Sequence, residues 1–262
     1  MQFESLSPDL HLFVGDAYES NSLVLFRGND ALLIDSTGSF ADADALRVKI
    51  EALGARVRFI VCTHFFSDHI AGLRRFPEAD AIAHRNYRET FDGEQHRTDE
   101  ELAHFAEPAI LVDDSLLIRW GRFTIDIFHN PGHTSSTLGI DIAEADLVVA
   151  GDTVVGNIVY FAYAEPSAFA PAIDRLLARN RKHLLTSHSR IRDTSSLHAA
   201  KVYLDRVASN IVSARESGAS IVDIPLEACV ADGVVVSDFE RHFHHRNLLS
   251  VEARGLFASA AG

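Results

Sequence analysis

The stretch Thr63-His64-Phe65-Phe66-Ser67-Asp68-His69 constrains this chain more than any other. It follows Val57 to Cys62, a near-continuous apolar run of the kind expected of a strand buried on both faces. It then opens into Ile70-Ala71-Gly72-Leu73. Two imidazoles and a carboxylate within six residues, at the exit of a buried strand, form a metal-ligand pattern.

Three further groups share that position after an apolar run. They are His133 in Asn130-Pro131-Gly132-His133-Thr134, Asp152 in Gly151-Asp152-Thr153, and His188 in Ser187-His188-Ser189. Loops at strand ends converge while the strands hold them rigid, which is why ligand sites collect there. Taken singly, each group has a plain reading. His133 is a turn residue after Pro-Gly, Asp152 a cap, and His188 a surface loop residue. Their order and joint placement favour one site.

Around these groups the chain alternates strands and helices. Leu10 to Val14, Ser22 to Phe26 and Ala31 to Asp35 read as strands, with a turn at Arg27-Gly28-Asn29-Asp30. Asp42 to Leu53 has helical spacing and stops at Gly54. A short helix is expected over Ile70 to Phe76, and a strand over Ala79 to Ala83. Asn86 to Pro108 reads as a polar insert with a helix near Thr98 to Phe105. In the second half, Ser115 to Trp120 and Phe123 to Phe128 flank a hairpin turn at Gly121-Arg122. Strands follow at Leu138 to Ile142, Leu147 to Ala150 and Lys182 to Thr186. Helices are expected over Ala168 to Leu177, Ser196 to Glu216, Ile221 to Cys229 and Phe239 to Leu249. The economical architecture is α+β: two packed sheets with helices outside.

The motif set resembles the metallo-β-lactamase superfamily, whose signature is Thr-His-x-His-x-Asp-His. Phe66 stands where that signature has its second histidine. The resemblance spans roughly Asn21 to His188. It implies an αββα sandwich of mixed sheets in one domain over 1–262, with halves 1–112 and 113–262 and a metal site at one edge. It further implies that His64 and His133 serve a first metal, that Asp68, His69 and His188 serve a second, and that Asp152 bridges. Phe66 offers no lone pair, so one tightly held ion in the Asp68, His69 and His188 group is expected. His84, at the exit of a neighbouring strand, is the candidate substitute for the missing ligand.

The expected function is hydrolysis of an ester, thioester, lactone or amide by a metal-activated water. Asp68 or Asp152 would orient and deprotonate the water, and His64 and His133 would act as general acid or oxyanion donor. Zinc, as one or two ions, is the expected metal, with Fe2+ as the alternative. An iron oxidoreductase or a degenerate binding member are the competing classes. Tyr160, Phe161 and Tyr163 read equally as pocket lining or core. His84, His96, His104 and His129 read as structural or surface residues, and His242, His244 and His245 as a solvated helix face.

A net charge of −13 opposes nucleic acid and anionic membrane surfaces, so a small-molecule substrate is expected. The first ten residues show no basic region followed by an apolar run, and no stretch reaches membrane-spanning length. Cys62 and Cys229 lie in apolar surroundings, as reduced buried thiols do. A cytoplasmic protein is the resulting expectation, with the oligomeric state open.

Overall fold

A computed structural model describes residues 1–257. Its first sheet runs in chain order: β1 (Gln2–Ser7), β2 (Leu10–Val14), β3 (Asn21–Arg27), β4 (Asp30–Ile34), β5 (Arg56–Val61), β6 (Asp80–His84) and β7 (Ile110–Val112). β1 to β4 pair antiparallel through short turns, and β4 to β7 pair parallel through crossovers. The second sheet is built from β8 (Ser115–Trp120), β9 (Phe123–His129), β10 (Leu138–Ile142), β11 (Leu147–Gly151), β12 (His183–Thr186) and β13 (Arg192–Asp193). It is antiparallel except for the β11–β12 pair. Both sheets are therefore mixed, as expected.

The helices are α1 (Phe40–Ala52), α2 (Tyr87–Gly93), α3 (Asp99–Ala103), α4 (Phe169–Leu177), α5 (Ser195–Ser217), α6 (Leu226–Cys229) and α7 (Asp238–Arg254). Between the sheets lies a core of Leu12, Leu23, Leu32 and Val61 against Ile125, Leu138, Ile140 and Val149. Burial on the outer side of the first sheet joins Leu33 and Ile60 to Leu46 and Ile50 of α1. On the second sheet's outer side, Val148 and Leu184 meet Ile173 of α4, Tyr203 of α5 and Leu248 of α7. The layers thus read helix, sheet, sheet, helix.

Several local expectations are corrected. The helix expected over Ile70 to Phe76 is two 3-10 turns, Ser67–His69 and Ala71–Arg74. A cause is visible in the backbone, where the Ala71 and Gly72 amides donate to the Thr37 and Ser36 carbonyls, an approach so close that a Cβ at Gly72 would lie 2.5 Å from that of Ser36. The helix expected over Ile221 to Cys229 is broken before Pro225, which supports only the short α6 after it. The structure adds β1, β7, β13 and α2 to the expected elements. β1 is an edge strand with exposed side chains on most of its length, so its sequence carries little burial signal. No helix of the described residues is long and apolar enough to cross a membrane.

Candidate metal centre

The site grows from the ends of β4, β5, β9, β11 and β12, all at one rim of the sandwich. Asp35, just past β4, ties three of those ends together. Its buried carboxylate accepts from the Thr63 amide at 2.7 Å, the Thr63 hydroxyl at 2.8 Å and the Ser187 hydroxyl at 2.9 Å. Asp35 itself takes a φ of 55°, a left-handed conformation that Asp tolerates better than most residues. Gly151 closes β11 at φ 58°, where a Cβ would stand 3.1 Å from that of Thr63.

This scaffold orients the imidazoles. Because the Thr63 hydroxyl donates to Asp35, it accepts from His64 Nδ1 at 3.1 Å, which places the hydrogen on Nδ1. His188 Nδ1 donates to the Tyr18 carbonyl at 2.8 Å, and His133 Nδ1 to the Tyr160 carbonyl at 3.3 Å. In His64 and His133 the Nε2 atom is thereby left without a partner, while His188 Nε2 meets Asp152 Oδ2 at hydrogen-bond distance. Such an anchored far nitrogen is the usual companion of a metal-binding imidazole.

The inward imidazole nitrogens gather around Asp68 and Asp152. His188 Nε2 lies 3.1 Å from Asp152 Oδ2 and 3.7 Å from Asp68 Oδ2. His69 Nε2 lies 3.3 Å from Asp68 Oδ1 and 3.6 Å from Asp152 Oδ2. His64 Nε2 is 4.0 Å from Asp152 Oδ2. His64, His133 and Asp152 form one group whose donor atoms lie within 4.8 Å of one another, and Asp68, His69 and His188 form a second. Ligand atoms about 2.0–2.1 Å from a tetrahedral zinc sit roughly 3.3 Å apart, so the second group has suitable spacing.

A test of fit comes from the atoms left over. His64 Nε2, His133 Nε2, both nitrogens of His69 and Asp152 Oδ1 are buried without a hydrogen-bond partner. So many orphaned polar atoms at one point would be costly unless something charged completes them. The donor set is nitrogen and carboxylate oxygen, which suits zinc or iron.

Protonation follows the same geometry. Burial and the neighbouring His69 hold His64 well below the usual imidazole range, with Asp152 opposing. Burial likewise lowers His133. For His69, burial is outweighed by Asp68, Asp152 and Asp35, which raise it to about 10. Burial also opposes the charge on His188, which Asp152 raises. Asp152 itself is buried, yet His188 and His69 hold it well below the carboxylate range. Burial raises Asp35.

Phe66 stands beside the first group. Its ring lies edge-on to His64 and His133, at 5.2 Å from each, and 5.0 Å from Tyr163. Phe66, Tyr160, Tyr163 and Phe243 make an aromatic wall to a cleft that also exposes Asp68, His133, Asp152 and His188. The polar insert also lines the cleft, through Glu94, His96 and Arg97. Glu94 fastens that insert by accepting from the Ser67 amide and hydroxyl, both at 2.8 Å.

All six residues expected from the sequence, His64, Asp68, His69, His133, Asp152 and His188, therefore meet at one rim. His84 does not join them. It stacks on His129 at 3.9 Å and belongs to neither group. The geometry also departs from a donor role for His64 and His133, whose inward nitrogens carry lone pairs. Tyr160 and Tyr163 line the cleft, whereas Phe161 is core. His244 is buried between Tyr203 and the Ile224 carbonyl, not solvated. Asp35 was overlooked as a site residue, although it shares the signal that singled out Asp152: an acid just after an apolar strand.

The family model described as the Metallo-beta-lactamase superfamily matches residues 15–204. The chain is 30% identical over 111 residues to the "Probable metallo-hydrolase" of Burkholderia pseudomallei (strain 1710b). That match covers 40% of this chain and 38% of the relative, well short of the relative's full length. In three dimensions the chain is similar to a metallo-β-lactamase from Pontibacter korlensis, with a TM-score of 0.61 and 19% identity over 75% of this chain and 95% of that one. It is also similar to a stereoselective inverting sec-alkylsulfatase from Pseudomonas sp., with a TM-score of 0.70 and 12% identity over 99% of this chain and 51% of that one. Identities at this level speak to the fold alone.

Proposed function

The chain belongs to the metallo-β-lactamase superfamily, and on that premise we propose that it is a metal-dependent hydrolase of a small ester, thioester, lactone or amide. The observation that carries this reading is the convergence of buried, unpartnered nitrogen and carboxylate donors on one point of an open cleft. The cleft beside these donors holds about 150 Å³, room for a small molecule or for the reacting part of one.

Asp68, His69 and His188 would hold one ion tightly, with Asp152 within reach of both imidazoles. Zinc is the metal this set suits best. His64, His133 and Asp152 offer two neutral rings and a carboxylate already shared, so a second ion would be held weakly. When bound, the metal would supply Lewis acidity, activating a water and polarising a carbonyl. His64 and His133, kept neutral by burial, present lone pairs suited to accepting a hydrogen bond from a water or substrate rather than to holding a proton. Asp152 stays ionised and has one oxygen free to orient a nucleophilic water. Phe66 and Tyr163 keep the neighbouring wall apolar, so fewer waters compete with the substrate.

Two imidazoles and one carboxylate also match an iron(II) triad, so oxidoreduction is the second reading. Both are tested by elemental analysis of the purified chain, followed by assay of zinc-loaded protein on a panel of carbonyl substrates. Hydrolysis that stops on chelation and in Asp68→Ala is expected. Turnover that persists without metal, or a chain that takes up no divalent ion, would sink the hydrolase reading. Iron retained in preference to zinc, with no hydrolysis, would favour the second.

A further inference from the structure

We propose that the aromatic side of the cleft carries a carboxylate subsite, formed by Arg246 and the Tyr160 hydroxyl, so that the substrate is an apolar or aryl carbonyl compound bearing an acid group. This rests on the hydrolase reading for the reaction and on independent residues for the subsite.

The first observation is Arg246. In a chain with 37 acids against 24 lysines and arginines, arginines readily find partners. On the same helix Arg241 pairs with Glu227 and Asp238, and Arg254 reaches Glu165 at 2.6 Å. Arg246 makes no ion pair or hydrogen bond among the described residues. It lines the cleft instead, with its guanidinium 5.6 Å from the centre of the Tyr160 ring.

The second observation is Tyr160. The residue is only 5% exposed, lines the same cleft, and its hydroxyl has no hydrogen-bond partner. A buried hydroxyl left so is unfavourable unless a ligand or water completes it. A planar guanidinium beside a phenol donor is the combination that recognises a carboxylate.

The third is the rigidity of the arrangement. Asn247, next to Arg246, accepts from the Phe161 amide at 2.9 Å and donates to the Val159 carbonyl at 2.7 Å. Those two bonds bracket Tyr160. Phe243, one turn before Arg246, packs edge-on against Tyr160 at 4.7 Å. Helix α7 therefore places the cation, the phenol and part of the apolar wall as one unit. The cleft's other arginine, Arg97, belongs to the polar insert, where it stacks on Phe91 with one guanidinium nitrogen buried and unpartnered.

The test is ligand-detected NMR titration of the zinc-loaded chain with phenylacetate and with its neutral counterpart phenylacetamide. Wild type is expected to prefer the acid by roughly tenfold, the size of a charge-assisted hydrogen bond. Arg246→Gln should erase the preference and Tyr160→Phe should reduce it. Arg241→Gln, on the outer face of the same helix, should keep it. Equal affinity for acid and amide in wild type, or a preference that survives Arg246→Gln, would overturn the subsite, the latter by assigning the preference to the metal or to Arg97. Because binding is read without turnover, failure of the hydrolase reading would show separately, as binding with no hydrolysis of any carbonyl substrate.

Discussion

The Phe66 ring meets the His133 imidazole nearly at right angles, 82° between planes and 5.2 Å between centres. It meets His64 at the same distance. A hydrocarbon ring thus occupies the place beside these two imidazoles where the superfamily signature has a third. The substitution acts on one donor group and leaves Asp68, His69 and His188 intact, and this asymmetry governs the first two predictions.

Mass spectrometry of the native chain should find about one zinc per molecule, because only one group offers an unshared carboxylate with two imidazoles. Phe66→His should raise that to about two. Two ions in wild type would contradict the argument. An unchanged Phe66→His would mean that more than this ring disables the first group.

Asp68→Ala should abolish tight metal binding, since it removes the charged member of the stronger group. His64→Ala should keep the ion yet lose most activity, by about 100-fold, as expected when a hydrogen-bond acceptor that orients the reactants is lost. Calorimetric zinc titration beside initial rates separates the two. Equal metal loss in both variants would show that the groups are assigned the wrong way round.

Asp35→Asn should weaken zinc binding by about 10–100-fold without touching a metal-facing atom. Asp35 accepts three hydrogen bonds and lies 3.9 Å from His69 Nδ1. An amide there turns donors toward donors and withdraws the charge that steadies His69. Competition with a chromophoric chelator measures the loss, and a wild-type affinity in the variant would refute the role.

Zinc affinity should fall as pH falls from 9 to 6. In the metal-free chain burial disfavours a charged His69, but Asp68, Asp152 and Asp35 raise it to about 10, so it carries a proton throughout that range. The ion must displace that proton, giving about a tenfold change in affinity per pH unit. The sign for the metal-free fold is the reverse. A raised imidazole contributes stability that is fully present below about 6.5, its unfolded value, and is lost as pH climbs towards the folded value. Calorimetry in buffers of different ionisation enthalpy counts the released proton directly.

Asn247→Ala should destabilise the fold by about 3 kcal/mol, because it strands the buried Phe161 amide, the Val159 carbonyl and part of the Tyr203 hydroxyl's bonding. It should also raise KM more than it lowers kcat, since Tyr160 loses its anchors while the metal groups keep theirs. Urea unfolding gives the first quantity and steady-state kinetics the second.

Much of the fold and of the candidate site is legible in the sequence. Strand and hairpin signals act between near neighbours, so the Gly121-Arg122 turn and the buried run into His64 could be read directly. The rule that chemistry follows strand ends located His64, Asp68, His69, His133, Asp152 and His188. It could have located Asp35 as well. Where local signal was thin, as in the exposed edge strand β1, or where a close contact overrode it, as at Gly72 against Ser36, the reading failed.

The sequence by itself determined which side chains could carry metal chemistry, and that one imidazole of the signature was absent. Only the tertiary structure decided how they are used. Asp35 lies on a different strand end from Thr63, yet the hydrogen bond between them sets which nitrogen of His64 points inward. Likewise His84 turned away to stack on His129, and Arg246 came to rest beside Tyr160. These outcomes depend on sheet register and on how α7 packs across the rim. They are sums over many distant contacts, and no short window of sequence contains them.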